Sequence, residues 1–469
     1  MPFNRFLPLL LITCLLFSVP DITAQTEVNQ PEFIEDEDRP KTKKELREER
    51  RLQREAEEKA RREEAKKNQL PFEDRVYDEH IKTILVHKAG LQLNPPVIQM
   101  GGVEKIEVRF DDLHPYSRTF AYSVEHCTHD WQGSDLIESE YLEGFFTNYI
   151  NDFSNSFNTT QPYMHHRFAF PNEDLRITRS GNYLLKVFAD DDPSKVIFTR
   201  RFMVTENVVM IDAKAAAPRN VALRQEGQEI QFTINHGSFP IPNPFRDLNV
   251  VLIQNQRWNS AITGLNPVFV KGGELVYDYD APATFMAGNE YRPLDIKSFT
   301  YQMENILRSE RTPLGWQILL APDQPRVFRR YETIRDINGQ AFVKNDDGFA
   351  DHTESDYATV HFTLKVDQPL IRSEIYVYGG YNNFALTEEN KMTYNPEIGS
   401  YQCSLHLKQG FYNYKYAVVE EHVGIPDITI IEGSFMETEN AYMILVYHRN
   451  FSNNYDQLIG VSYVNANRR

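Results

Sequence analysis

The chain has 469 residues, of which 41% are hydrophobic and 12% aromatic, and it carries a formal net charge of −17. At about 150 residues per domain this length predicts about three folded units, and so many aromatic side chains exclude a wholly disordered chain. The acidic balance argues against a nucleic-acid partner, because phosphate binders need clustered Lys and Arg.

Arg5 supplies a short positive start, Phe6 to Val19 is an almost unbroken apolar run, and Ile22-Thr23-Ala24 ends in a small residue. Residues 1–24 therefore read as a signal peptide that leaves Gln25 as the new N-terminus. Thr13 stands before Cys14 where lipidation wants a smaller residue, and Leu15-Leu16-Phe17 continue the apolar run, so a lipid anchor is not expected. No later stretch approaches the ~20 apolar residues that span a bilayer. The expectation is a periplasmic product without direct membrane insertion.

Residues 25–75 read as a disordered stretch and charged helical spacer. Lys41 to Lys67 holds 12 basic and 8 acidic residues, with Leu46, Leu52, Ala56, Ala60 and Ala65 too sparse for a coiled-coil seam. Acidic and basic residues recur three and four apart, which supports an exposed helix. An arm for RNA or anionic lipid is the other reading, but mixed charge is a poor phosphate binder. That segment is net +4, Arg5 and Asp21 cancel, and the remainder sits at −21, a surface that repels anionic lipid.

From Tyr77 onward the pattern is strand, turn, strand. In Thr119 to His126, Phe120, Tyr122, Val124 and His126 share one face and Ala121, Ser123 and Glu125 the other. Ser180-Gly181-Asn182 and Asp190-Asp191-Asp192-Pro193 punctuate later strands. Residues 76–208 are expected to form an immunoglobulin-like β-sandwich. After Ala215-Ala216-Ala217-Pro218, the strands EIQFTINH, LNVVLIQN and GGELVYDYD open a middle sandwich over 209–335, with Tyr291 to Tyr301 and Val327 to Tyr331 completing it. Pro240, Pro242 and Pro244 mark a loop or edge within it. Residues 336–469 form the last domain. The predicted fold class is all-β: tandem immunoglobulin-like or early-set β-sandwiches, preceded by a signal peptide and a charged helical segment.

The clustered polar residues do not assemble into a recognisable catalytic pattern. His126, Cys127, His129 and Asp130 lie close in sequence and His165-His166 follow, but strand alternation splits His126 from Cys127 and the spacing matches no zinc motif. Asp190 to Asp192 and Asp346-Asp347-Gly348 lack the ligand ladder of a calcium loop and read as turns. Nucleophile elbow, phosphate-loop and dinucleotide patterns are missing from the sequence. No catalytic residue, metal, cofactor or small-molecule substrate is expected. Cys127 and Cys403 fall in different domains and read as buried thiols.

Two resemblances bear on function. The blocks IKTILVHKAG from Ile81, RFDDL from Arg109, HCTHDW from His126, SDLIESEYLEGF from Ser134, SNSFNTTQPYMHHRFAFPN from Ser154, SGNYLLKVF from Ser180 and TRRFMV from Thr199 resemble, in that order, the first domain of the plug proteins of the type IX secretion system. That system exports proteins across the outer membrane of Bacteroidota. The resemblance implies a non-enzymatic periplasmic protein that docks on the outer-membrane translocon barrel and closes its channel when idle. It would be held peripherally at the membrane through that partner.

The stretch Glu374 to Glu420 is similar to the early-set sandwich of glycogen-binding modules. Gly379-Gly380-Tyr381-Asn382-Asn383-Phe384 stands at the sugar-binding loop, with Phe384 where a Trp often lies. This second resemblance implies glycan binding through Tyr381 and Phe384. In the other reading Tyr412, Tyr414 and Tyr416 alternate because one face packs on a core.

Overall fold

The computed structural model describes residues 70–279, 281–301, 303–449 and 454–467. The expected signal peptide and charged helix lie outside these residues. Strand is the dominant regular structure among the described residues, and the helices there are single turns such as Glu138–Tyr141 and Thr429–Glu432.

In the first sandwich, Phe120–Cys127, Gly181–Ala189 and Val196–Thr205 form the centre of one sheet. Ile81–Lys88, Ile106–Asp112, Met164–Phe170 and Asp152–Asn155 form the other. Phe120, Tyr122 and Val124 point into the core between the sheets, as the alternation predicts. Phe110, from the opposing sheet, meets Phe120 and Phe198 edge-on, each at 5.3 Å between ring centroids, a preferred aromatic geometry. Asp190 and Asp191 take positive φ in the expected turn.

The second core is built from both ends of the remaining chain. Met210–Ala216, Gly227–Asn235, Phe269–Lys271 and Glu274–Tyr277 make one sheet. Leu248–Gln254 pairs not with its sequence neighbours but with Asn440–Arg449, which pairs in turn with Asp456–Ala466. The linear division at 335/336 is thus crossed by strand pairing, since the C-terminal hairpin returns to the middle core. Arg292–Asp295, expected within the middle sandwich, pairs instead with Gly410–Glu420 in the third. Val327 to Tyr331 is not a strand. Partner choice is non-local, and local pattern reports only that a segment is extended.

The third core lies between the sheet of Ile306–Thr312, Gly315–Leu320, Tyr357–Lys365, Ser400–Lys408 and Thr393–Asn395 and strands including Arg292–Asp295, Ser373–Tyr378 and Gly410–Glu420. Tyr412, Tyr414 and Tyr416 all face inward. Near Tyr416, the buried Glu432 carboxylate accepts from Arg292 Nε and Nη2, both at 3.0 Å, from Arg326 Nε at 2.6 Å, and from the Tyr416 backbone N–H at 3.0 Å.

The apolar junction between the first two sandwiches comes from strands buried on both faces. Tyr442, Ile444 and Val446 enter the middle core, while the alternating Met443, Leu445 and Tyr447 join Cys127, Trp131, Leu184 and Met203 of the first sandwich. The Tyr447 hydroxyl donates to Asn182 Oδ1 at 2.8 Å. The connection at Glu206 and Val208 donates backbone N–H groups to Leu458 and Ile459 at 2.9 and 2.8 Å. Gly460 permits this approach, because a Cβ there would lie 2.5 Å from Val209 Cγ2.

Two outcomes test this packing. Gly460→Ala should lower stability by about 1–3 kcal/mol, as overpacking does, and appear as a lower urea midpoint at unchanged slope. Burial would raise the Glu432 carboxyl, but Arg292 and Arg326 outweigh it and hold the pKa at about 2 against the ordinary 4.5. Its contribution is therefore complete above pH 4.5 and lost as pH falls toward 2. Denaturation at stepped pH should show this acid limb flattened in Glu432→Gln.

Candidate functional site

The polar residues singled out in the sequence are dispersed by the fold. His126 is buried with Nε2 3.1 Å from the Ser180 carbonyl, and burial lowers its pKa to about 4. His129 Nδ1 lies 2.9 Å from Asp456 Oδ2 across the junction with the C-terminal hairpin. Asp130 accepts the Thr128 hydroxyl at 2.5 Å. His166 stacks on Phe110 at 4.9 Å. Cys127 and Cys403 are buried free thiols, and burial pushes Cys403 up to about 12 and Cys127 further. Asp347 is consumed by Ser298, Phe299 and Thr300. Asp192 accepts the backbone N–H and hydroxyl of Ser194.

The two residues of the sugar-stacking resemblance turn toward the protein. The Tyr381 hydroxyl donates to the Val377 carbonyl at 2.6 Å, and Phe384, 5% exposed, packs on Tyr378 at 5.2 Å.

His165 leads to a different arrangement, a polar junction between the first and third sandwiches. Its Nδ1 lies 2.6 Å from Asp111 Oδ1, while Asp111 Oδ2 accepts the Tyr357 hydroxyl and the Lys408 ammonium, each at 2.6 Å. The Tyr357 oxygen lies 2.6 Å from Thr83 Oγ1. Lys408 also donates to the His352 carbonyl at 2.8 Å and sits 4.0 Å from the Tyr163 ring centroid. Burial pulls both charges toward their neutral forms. The Lys408 ammonium and His165 nevertheless keep Asp111 below the ordinary carboxylate range, and Lys408 ends below the ordinary lysine value despite Asp111. Around this pair, Asp356 accepts the backbone N–H groups of Thr160 and Gln161 at 2.6 and 3.1 Å, and Tyr163 donates to the Ser355 carbonyl at 2.8 Å. These groups hold two domains together through buried contacts.

The surface feature that stands out is an aromatic edge. Asn148–Tyr149 and Asp152–Asn155 are edge strands of the two sheets of the first sandwich, each paired on one side. Phe145, Tyr149, Phe153 and Phe157 along this stretch are all more than half exposed. The Phe157 N–H bonds the Thr353 carbonyl at 2.8 Å, bringing to its end the loop that carries the fully exposed Phe349. Glu138, Glu140, Glu143 and Asp152 are exposed beside these aromatics. Clustered exposed aromatics with a polar surround are the surface chemistry of protein–protein contact. Sequence reasoning passed over them because a spacing of four fits one face of a helix or of a strand and reads as core, and only their edge position makes them accessible.

Lys408→Met should cost about 3–5 kcal/mol, because it strands a buried carboxylate. Asp111→Asn with Lys408→Met should recover much of that loss. A double-mutant cycle by urea denaturation checks this, and additive losses would show that the two groups are not coupled.

Comparison with known proteins adds an independent line. Residues 81–206 match the family model described as the type 9 secretion system plug protein 1st domain. This match coincides with the sandwich that carries the aromatic edge, and ties the chain to type IX secretion. A crystal structure of a hypothetical protein from Parabacteroides merdae is 37% identical, with 85% of this chain and 100% of that chain covered and a TM-score of 0.82. The Pseudomonas fluorescens alkylpurine DNA glycosylase AlkC, bound to DNA containing an abasic site analogue, is 11% identical over 27% of this chain and 30% of its own, with a TM-score of 0.17 that is too low to bear on the fold. A search of curated proteins found no match. Among the described residues, no helix is long and apolar enough to cross a membrane.

Proposed function

Because the chain belongs to the type IX secretion system plug family, we propose that it is a non-enzymatic periplasmic plug that docks on the outer-membrane translocon barrel of that system and seals its channel when no substrate is passing. The carrying observation is the match of residues 81–206 to the plug first domain. Occlusion requires a broad preformed surface and no chemistry, and the three sandwiches are joined by buried contacts that suit them to rigid docking. A stable contact needs on the order of 1,200–2,000 Å² with an apolar centre. The edge from Phe145 to Phe157 supplies aromatic anchors for such a contact. The acidic surface disfavours anionic lipid, so membrane association in this reading runs through the barrel. Glycan binding requires exposed ring faces, whereas the placement of Tyr381 and Phe384 supports core packing.

Affinity purification from a Bacteroidota envelope should recover the barrel with the tagged chain. Phe145→Asp combined with Phe153→Asp should reduce recovery by about tenfold or more, equivalent to about 1.4 kcal/mol, while leaving thermal stability near wild type because both positions are exposed. Deletion cells should admit large dyes normally excluded by the outer membrane, most strongly when the substrate-shuttling partner is also absent. Wild-type permeability in that double deletion, at unchanged translocon level, would sink the proposal.

A further inference from the structure

Two loops at one end of the first sandwich bring together side chains that sequence keeps apart. Asp78 and His80 precede strand Ile81–Lys88, and His114 follows strand Ile106–Asp112. One ligand atom from each lies within 4.8 Å of the other two, a group found among the described residues to have the makings of a metal site. The rings of His80 and His114 are 4.0 Å apart between centroids at an interplanar angle of 41°.

The surroundings arrange these groups as ligands. His114 Nδ1 lies 2.9 Å from Asp112 Oδ1. Asp112 is 2% exposed and is held between Arg118 and His114. With Nδ1 turned to the Asp112 carboxylate, Nε2 is the His114 ring nitrogen left to meet an ion. This is the carboxylate–histidine relay that orients imidazole toward a metal. Arg118 holds Asp112 through Nε at 3.0 Å and Nη2 at 2.9 Å, and its Nη1 reaches Asp78 Oδ2 at 2.7 Å. Asp78 Oδ1 accepts the His80 backbone N–H at 3.0 Å and retains a lone pair. His80 is the most exposed member, its side chain 46% exposed, and its Nδ1 lies 3.5 Å from Asp78 Oδ1. Asp78, His80 and Arg118 line a cleft of about 540 Å³ shared with Glu79, Asp190 and Lys195. That cleft opens Asp78 and His80 to solvent.

We propose that Asp78, His80 and His114 bind one divalent transition-metal ion, with zinc as the probe that fits best. Two imidazoles and a carboxylate suit zinc, nickel or copper, whereas magnesium and calcium prefer all-oxygen sets. The ion would clip the segment ahead of the first long strand to the turn after the second. Asp112 acts as a positioning residue, through His114.

Calorimetric titration of the tag-free mature chain with zinc alone should show one ion per chain, with no displacement by excess magnesium. His80→Ala, an exposed change, and His114→Ala should each abolish that event. Asp112→Asn should weaken it about 10–100-fold, the usual effect of losing such a partner, without changing the stoichiometry. A cobalt-loaded sample should show visible absorption that disappears in His80→Ala. Absence of stoichiometric zinc binding, or binding that persists unchanged in His80→Ala, overturns the proposal even if His114→Ala misfolds. Neither result depends on docking at the translocon.

Discussion

The C-terminal hairpin is the constraint from which the rest of the architecture follows. Leu248–Gln254 has the pattern of a strand buried on both faces, and it gains its ladder only when Asn440–Arg449 arrives from the far end of the chain. The same strand that completes the middle core sends Met443, Leu445 and Tyr447 to the first sandwich. One hairpin thus closes a core and a junction at once, and the third sandwich is looped out between the two halves of the second. Its loss would expose the apolar faces of two sheets together, so the first and second sandwiches are expected to behave as one cooperative unit.

The junction with the third sandwich uses different physics. Asp111 and Lys408 are both about 1% exposed, and such a pair adds little net stability because desolvation offsets much of the attraction. Its strength is directional. The carboxylate is satisfied only when His165 from one domain and Tyr357 and Lys408 from another all converge, so a shifted orientation would strand a buried charge. The apolar junction supplies cohesion, and the ionic one selects a single arrangement.

Much of this was legible in the sequence, but unevenly. The all-β class and the face assignment in Phe120–Cys127 follow from alternation, and the tyrosine alternation from Tyr412 to Tyr416 correctly marks a core. The double-sided sheets also left a trace, since LNVVLIQ and YMILVYH are nearly continuous apolar runs where a one-sided sheet would alternate. Pairing order was not legible: nothing in Leu248–Gln254 names a partner nearly two hundred residues away, and Arg292–Asp295 reads the same in either sandwich. Of the polar residues, proximity in sequence at His126 to Asp130 proved uninformative because a strand and its turn aim neighbours apart. The repeated Asp-x-His at Asp78 and His80 and again at Asp112 and His114 was the more useful signal, visible only once two loops are known to meet.

For a protein whose proposed task is to block an opening, rigidity and surface chemistry have to be separated in space. The buried ionic and apolar junctions lie in the interior, while the first sandwich exposes the aromatic edge from Phe145 to Phe157. Edge strands invite pairing with other chains, and proteins usually protect them. Here the edge is short and flanked by acidic residues, which limits strand-to-strand aggregation while leaving the aromatic rings available. Such an edge can bind through side chains to a shaped partner without offering a long backbone ladder to a second copy of itself. That combination favours release as well as docking: a contact anchored by a few aromatics can be displaced piecewise, whereas an added β-strand would have to surrender its hydrogen bonds together.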